Sequence, residues 1–236
     1  MGEDVIKAFN FWSSNILFMS FLTKLRHALT PFLCIICHQI TTQSLCKNCQ
    51  ITLAQESYTH KRQQINVNHQ SITLYVFNQF DGLTRKLLFM FKYQNDHLAG
   101  HALSLYMQQA FKRQLSLTDV DYLLPVPSHR MRFLTRGFNQ VEMLCKPLIF
   151  PGVRVMDLNS IKRCKYTKPQ AKSSYEQRQR QMQGVFKQTK PIAAKHLLIV
   201  DDVYTTGSTI KALIECLQAY LPNKIDKISV LTLCHT

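Results

Sequence analysis

Apolar residues recur along the chain with the two spacings that distinguish strands from helices. A continuous apolar run at 197–200 is typical of a parallel strand buried on both faces, and helical spacing follows it from Ile210 to Leu221. Further strands are predicted over 71–80, 122–126 and 227–234. Further helices are predicted at Phe80 to Phe91, at His97 to Phe111 and at Val141 to Leu148, the second with its apolar positions at Leu98, Ala102, Leu105 and Tyr106. Residues 54–70 are polar and predict a connector.

Polar residues gather where the strand at 197–200 gives way to its helix. Two acids, Asp201 and Asp202, follow the strand directly, and a run of small or hydroxyl residues comes next: Thr205, Thr206, Gly207, Ser208 and Thr209. Hydroxyl and N–H groups of such a turn can bind one phosphate, and paired carboxylates can bind a sugar diol or Mg²⁺. The alternative is an ordinary strand-to-helix turn in which Asp and Thr serve as caps.

A second loop between a predicted strand and a helix is rich in arginine. It follows the strand at 122–126, carries Arg130, Arg132 and Arg136, and leads into a helix that begins near Asn139. Guanidinium groups bind phosphate oxygens bidentately, so this loop is a candidate pyrophosphate site. A basic surface loop is the alternative.

Two C-x-x-C pairs lie close together near the N-terminus, formed by Cys34, Cys37, Cys46 and Cys49. Four thiolates at this spacing predict a tetrahedral, structural zinc site without an open position for substrate. So short a segment cannot bury a core, and its folding would be coupled to metal binding. Redox-active or merely buried cysteine pairs are the alternative. The other four cysteines are scattered, which favours a reducing compartment and a cytoplasmic protein.

The charge balance favours polyanionic partners. The 236 residues carry a formal net charge of +15, and 46% of them are hydrophobic, enough for one domain and a small module. Nucleic acid, phosphorylated metabolites and anionic membranes all remain open. A basic stretch over 162–195 supplies candidate nucleic-acid contacts at Lys162, Arg163, Lys165 and Lys168, and its part over 166–183 predicts a long loop able to close over a site.

The N-terminal segment is apolar-rich over 9–22, but it is too short to span a bilayer and predicts no stable membrane insertion. The acids Glu3 and Asp4 argue against a signal peptide, and Met19 is an alternative start. We therefore expect an extension over 1–30, a zinc module over 31–56 and a larger domain over 71–236.

The acidic pair followed by T-T-G-S-T resembles the phosphoribosyl pyrophosphate (PRPP) loop of type I phosphoribosyltransferases. With the C-x-x-C pairs, L-L-F-M-F-K-Y at 87–93, P-V-P at 125–127 and R-G-F-N-Q at 136–140, it makes the chain similar to the ComF (ComFC/GntX-like) family from about residue 31 onward. One departure is Gln181, three residues after Arg178, where the family usually has Asn.

This resemblance implies an α/β fold of the type I phosphoribosyltransferase kind, with a parallel sheet flanked by helices and a four-cysteine zinc module. It implies a role in natural transformation, the handling of incoming single-stranded DNA, with other competence proteins as possible partners. Asp201 and Asp202 would bind the ribose hydroxyls of PRPP with Mg²⁺, residues 205–209 its 5-phosphate, and the arginine loop its pyrophosphate. An active phosphoribosyltransferase with an unidentified nucleobase-like acceptor and a PRPP-sensing regulator are the alternatives.

Overall fold

The computed structural model describes residues 32–56, 61–114, 119–129, 139–149, 152–155, 160–165, 184–220 and 223–236. The chain divides after Ile51 into two compact units. The strands are β1 Phe32–Leu33, β2 Ile40–Thr41, β3 Lys61–Val67, β4 Gln70–Gln79, β5 Tyr122–Pro125, β6 Arg154–Val155, β7 Ile161–Arg163, β8 Phe186–Gln188, β9 Ala193–Tyr204 and β10 Lys224–His235. The α-helices are α1 Lys47–Gln55, α2 Gly82–Tyr93, α3 His97–Gln114, α4 Gln140–Cys145 and α5 Ser208–Ala219. The residue bounds expected for the modules remain predictions.

The second unit is built on a six-stranded sheet with the order β3-β4-β10-β9-β5-β6. β3 pairs antiparallel with β4, and the other four pairs are parallel. The strand predicted at 197–200 forms the middle of β9, which lies between β10 and β5 in the sheet. Its four side chains are fully buried. The predicted α/β fold, a mostly parallel sheet flanked by helices, is confirmed.

The connections of this sheet create a crevice at the carboxyl ends of β5 and β9. β9 leads through α5 to β10 on one side, whereas β5 leads through α4 to β6 on the other side. Ligands of open α/β sheets bind where neighbouring strands have connections that leave in opposite directions. The fold therefore brings the end of β9 and the segment after β5 to the position where a site is expected.

Helix α2 has one buried apolar face, made by Leu83, Leu87, Leu88 and Phe91, and it packs against α3. Its first turn is capped from outside the helix, because the backbone N–H of Leu83 donates to both carboxylate oxygens of Glu56 at 2.8 and 2.9 Å. In the helices that the structure describes, no segment is both long and apolar enough to cross a bilayer.

Two expectations about the strands were wrong. The polar segment at 54–70 is not only a connector, because β3 lies within it as an edge strand whose alternate residues face water. The acids Asp201 and Asp202 do not follow β9 but belong to it, since its pairing with β10 continues to Tyr204.

The buried face of α3 was predicted only in part. Ala102 and Tyr106 are buried as expected, but Leu98 and Leu105 are 44% and 36% exposed, and Leu103 is fully buried in their place. Apolar residues occur on several sides of this helix, so spacing alone does not specify its buried face.

Candidate functional site

The acidic pair lies at the carboxyl end of β9, half-buried in the crevice. Asp202 Oδ2 is 2.8 Å from Lys92 Nζ, and Asp201 Oδ1 accepts a hydrogen bond from the Asp202 backbone N–H at 2.9 Å. Burial and the adjacent charge of Asp202 raise the pKa of Asp201 to about 7, although Lys92 and Arg163 oppose the shift. One carboxylate thus has a cation as its partner, and the other can change protonation near neutral pH.

Lys92 was missed by sequence reasoning as a site residue. A usable signal existed: Lys92 follows the buried Leu88 by four residues and so lies at the border of the apolar face. A long side chain at that border can reach across the neighbouring surface. Here it reaches the end of β9, and only 20% of it remains exposed.

The turn after β9 requires a glycine. Gly207 has φ of 73° and ψ of 0°, and a Cβ at this position would collide with the hydroxyl of Tyr204. Helix α5 begins at the next residue, and Thr206 Oγ1 lies 2.7 Å from Ser208 Oγ. This turn suits a phosphate. It offers two hydroxyls and the N–H groups of a helix start, and the first turn of the helix contains no acid that would repel an anion.

Two buried thiols, those of Cys234 and Cys145, lie near the acidic pair. Cys234 Sγ donates to the backbone carbonyl of Asp202 at 3.8 Å, and burial together with the charge of Asp202 raises its pKa. Burial foremost, and the charges of Glu142 and Asp201, also raise the pKa of Cys145. Both thiols are buried, and their raised pKa values disfavour the thiolate form.

The motif N-Q at 139–140 fixes the helix next to the crevice. The Asn139 side chain accepts from the Val141 backbone N–H at 3.2 Å, which confirms the predicted helix start. Gln140 is buried and donates from Nε2 to the carbonyl of Phe91 at 2.8 Å. This contact ties α4 to the last turn of α2, one residue before Lys92.

Part of the predicted basic set lies among the described residues. Lys162 is exposed on β7, and Lys165 is exposed just after it. Arg163 pairs through its backbone with His129, the segment that follows β5, and its guanidinium lies 5.6 Å from the Phe186 ring centroid. Because its charge lowers the pKa of Asp201, Arg163 belongs to the surroundings of the acidic pair. Arg130, Arg132, Arg136, Lys168 and the predicted loop over 166–183 lie outside the described residues.

The four predicted metal ligands come together in the first unit. The sulfurs of Cys34, Cys37, Cys46 and Cys49 all lie within 4.8 Å of one another, and those of Cys37 and Cys46 are 3.5 Å apart. Zn–S bonds of about 2.3 Å in a tetrahedron separate sulfurs by about 3.8 Å, so the cluster has the dimensions of a four-thiolate site.

Local backbone geometry holds the two pairs in place. The first pair lies in the turn between β1 and β2, where His38 N donates to the Cys34 carbonyl at 2.9 Å. The second pair opens α1, with Gln50 N donating to the Cys46 carbonyl at 3.0 Å. Burial opposes ionisation of Cys34, but backbone hydrogen bonds from Cys37, Cys46 and Ile36 bring its pKa down to about 6.

Burial and the three neighbouring sulfurs raise the pKa of Cys49 instead. Four thiolates this close repel one another without a cation between them. The donor set therefore fits a structural metal ion, which these four residues could hold.

The chain is similar to proteins of DNA utilization and competence. It is 35% identical over 125 residues to the DNA utilization protein YhgH of Salmonella typhi, which is 53% of this chain and 54% of the relative. It is 31% identical over 140 residues to Competence protein F of Haemophilus influenzae, or 56% and 60% of the two chains. It is 24% identical over 178 residues to Competence protein ComFC of Streptococcus pneumoniae, or 74% and 69%.

The match thus spans about half the length of the DNA utilization proteins. No model of a protein family matches the chain. The names of these relatives, the clustered cysteines and the α/β fold agree with the resemblance carried by the sequence motifs. These similarities support the resemblance to the ComF family of competence proteins.

Proposed function

We propose that the chain acts in natural transformation by handling incoming single-stranded DNA, and that its crevice binds PRPP with Mg²⁺. The relatives named for competence and DNA utilization support the first part. The second part rests on one observation: an acidic pair and a Gly207 phosphate-type turn lie together at the carboxyl end of β9.

Each part of PRPP has a matching group on this chain. Asp201 and Asp202 are acceptors for the two ribose hydroxyls, and the turn at 205–209 supplies donors for the 5-phosphate. Arg130, Arg132 and Arg136 are the predicted partners of the pyrophosphate. Bound Mg²⁺ would neutralise the pyrophosphate oxygens, while the carboxylates of the pair stay available to the sugar.

Isothermal calorimetry tests the PRPP site. The wild-type chain is titrated with PRPP in the presence of Mg²⁺, and the double variant Asp201→Asn with Asp202→Asn is titrated under the same conditions. We expect binding to the wild type and a loss of at least about tenfold in the variant, because two charge-assisted hydrogen bonds are removed. Asp226→Asn, an exposed acid near the start of β10, is the matched control. Equal affinity in all three proteins would contradict the proposed site.

The raised pKa of Asp201 favours a second candidate, an active phosphoribosyltransferase. A carboxyl that titrates at about 7 can exchange a proton with an acceptor at neutral pH. Release of pyrophosphate from PRPP, measured with a panel of nucleobases and DNA fragments, tests this candidate. No release above the level of the Asp201→Asn variant with any acceptor would leave PRPP binding without turnover.

DNA binding is tested separately through its salt dependence. Lys162, Arg163, Lys165 and Lys168 are the proposed phosphate contacts, and each contact contributes about 0.7 to the logarithmic salt slope on a single strand. We expect the slope to fall when Lys162 and Lys165 are changed to Gln. Weak binding of the wild type without a salt slope would count against a role in DNA handling.

A further inference from the structure

Helix α2 has an exposed face that neither the acidic pair nor the basic stretch at 162–195 explains. Phe89 and Tyr93 lie one turn apart on this face, 52% and 64% exposed. Their ring centroids are 5.0 Å apart, with an angle of 43° between the ring planes. Single exposed aromatics are common on protein surfaces, but two in mutual contact form a broad apolar platform in water.

Cations flank this pair of rings. Successive residues turn by about 100° in an α-helix, so Arg85, Phe89, Tyr93 and Lys86 fall within an arc of about 100°. Arg85 and Lys86 are both exposed, and α2 contains no acidic residue. The Arg85 guanidinium also lies 5.9 Å from the ring centroid of Phe80, just before the helix. We call these four residues, Arg85, Lys86, Phe89 and Tyr93, the α2 aromatic face.

The α2 aromatic face borders the crevice. Lys92 is adjacent to Arg85 on the helical wheel, turned by about 20°, and its ammonium group contacts Asp202. A bound polymer that lies along the α2 aromatic face therefore passes the edge of the acidic pair.

Exposed aromatic rings between cations are the chemistry of single-strand nucleic-acid recognition. Bases stack on the rings whatever their sequence, and phosphates lie against the cations. A docking site for an apolar protein helix would need an apolar groove, whereas this face carries the exposed charges of Arg85 and Lys86. We infer that the α2 aromatic face stacks the bases of single-stranded DNA, an inference that rests on the proposed role in DNA handling.

Fluorescence anisotropy with a labelled oligothymidine tests the inference. The proteins are the wild type, Phe89→Ala with Tyr93→Ala, Arg85→Gln with Lys86→Gln, and the control Ile149→Ala, which removes another exposed apolar side chain. Loss of both rings is expected to weaken binding about tenfold or more with the salt slope unchanged. Loss of both cations is expected to reduce the slope by about 1.4. Phe89→Trp with Tyr93→Trp, which keeps the stacking surfaces, is expected to retain the affinity.

The outcomes separate this inference from the proposed function. A wild-type chain that does not bind the oligonucleotide contradicts the role in DNA handling itself. A wild type that binds with a salt slope, together with unchanged affinity in Phe89→Ala with Tyr93→Ala, overturns only the inference.

Photo-crosslinking of the wild type to a strand with 5-iodouracil gives an answer even if the alanine variant fails to fold. Crosslinks at Phe89 or Tyr93, identified by peptide mass spectrometry, support the inference. Crosslinks confined to other segments overturn it.

Discussion

Lys92 Nζ lies 2.8 Å from Asp202 Oδ2, so a helix and a strand that are far apart in sequence share one ion pair at the edge of the crevice. The exposed fractions of the two side chains are 20% and 15%, which places the pair between a surface ion pair and a buried one. The lysine compensates one of two adjacent negative charges. It therefore contributes to stability and sets the charge that a ligand meets.

Replacing Lys92 with Met should destabilise the protein. Asp202 would lose its partner beside Asp201, at a cost between the about 1 kcal/mol of an exposed pair and the about 3 kcal/mol of a buried one. Urea unfolding at pH 8 measures this difference. Lys86→Met, on the exposed face of the same helix, should change the free energy of unfolding by less than about 0.5 kcal/mol. Equal effects of the two substitutions would show that the ion pair has no special weight.

Asp201 should make the protein less stable as the pH rises from about 4 to about 7. Its folded-state pKa of about 7 lies above the value of about 4 for an unfolded chain, so the folded state binds more protons in this window. Well above pH 7 the carboxylate is ionised in both states, so Asp201 adds no further pH dependence to the stability. Asp201→Asn removes the titration and should gain stability relative to the wild type between pH 5 and pH 8.

The comparison with Asp201→Asn is needed because a second group titrates in the opposite direction. Burial lowers the pKa of His196, although Asp119 opposes the shift, so its contribution to stability rises with pH up to about 6.5. Urea unfolding of both proteins at pH 5 and pH 8 isolates Asp201, since His196 is common to both. A difference between them that does not change with pH would contradict a raised pKa of Asp201.

The central strand, the turn at Gly207 and the cysteine cluster could be predicted because each depends on residues close in sequence. Neighbouring residues determine the strand at 197–200, and the same holds for the cluster of Cys34, Cys37, Cys46 and Cys49. The role of Lys92 could not be predicted, since it depends on where α2 lies relative to β9. Arg163 stays a proposed DNA contact, but its nearness to Asp201 could not be predicted either, since it depends on the pairing of its backbone with His129.

The position of β3 at the edge of the sheet could not be predicted from the sequence either. β3 is polar because it borders solvent, and the apolar alternation that predicts strands requires a buried face. The pairing of β3 with β4 is made by backbone groups, so the pattern of side chains does not reveal it.

Gly207→Ala should destabilise the turn and weaken PRPP binding. A side chain at φ of 73° costs about 1–2 kcal/mol, and the new Cβ would also collide with the Tyr204 hydroxyl. Gly152→Ala is the matched control, because Gly152 has φ of 91° but no atom within 4 Å of the added Cβ. Thermal unfolding should therefore show a larger loss for Gly207→Ala than for Gly152→Ala. Similar losses would mean that the Tyr204 contact is unimportant.

The four-cysteine cluster should hold one zinc ion per chain and need it for the structure of the first unit. Elemental analysis of the purified protein is expected to give about one equivalent of zinc, and Cys49→Ser should lose it, because three sulfurs cannot close the tetrahedral site. Cys164→Ser, which alters an exposed cysteine outside the cluster, should keep the full equivalent. Chelation should make the first unit sensitive to protease before the second, since the large hydrophobic core found among the described residues lies in the second. A wild type without zinc, or a Cys49→Ser variant that retains it, would contradict a four-thiolate site.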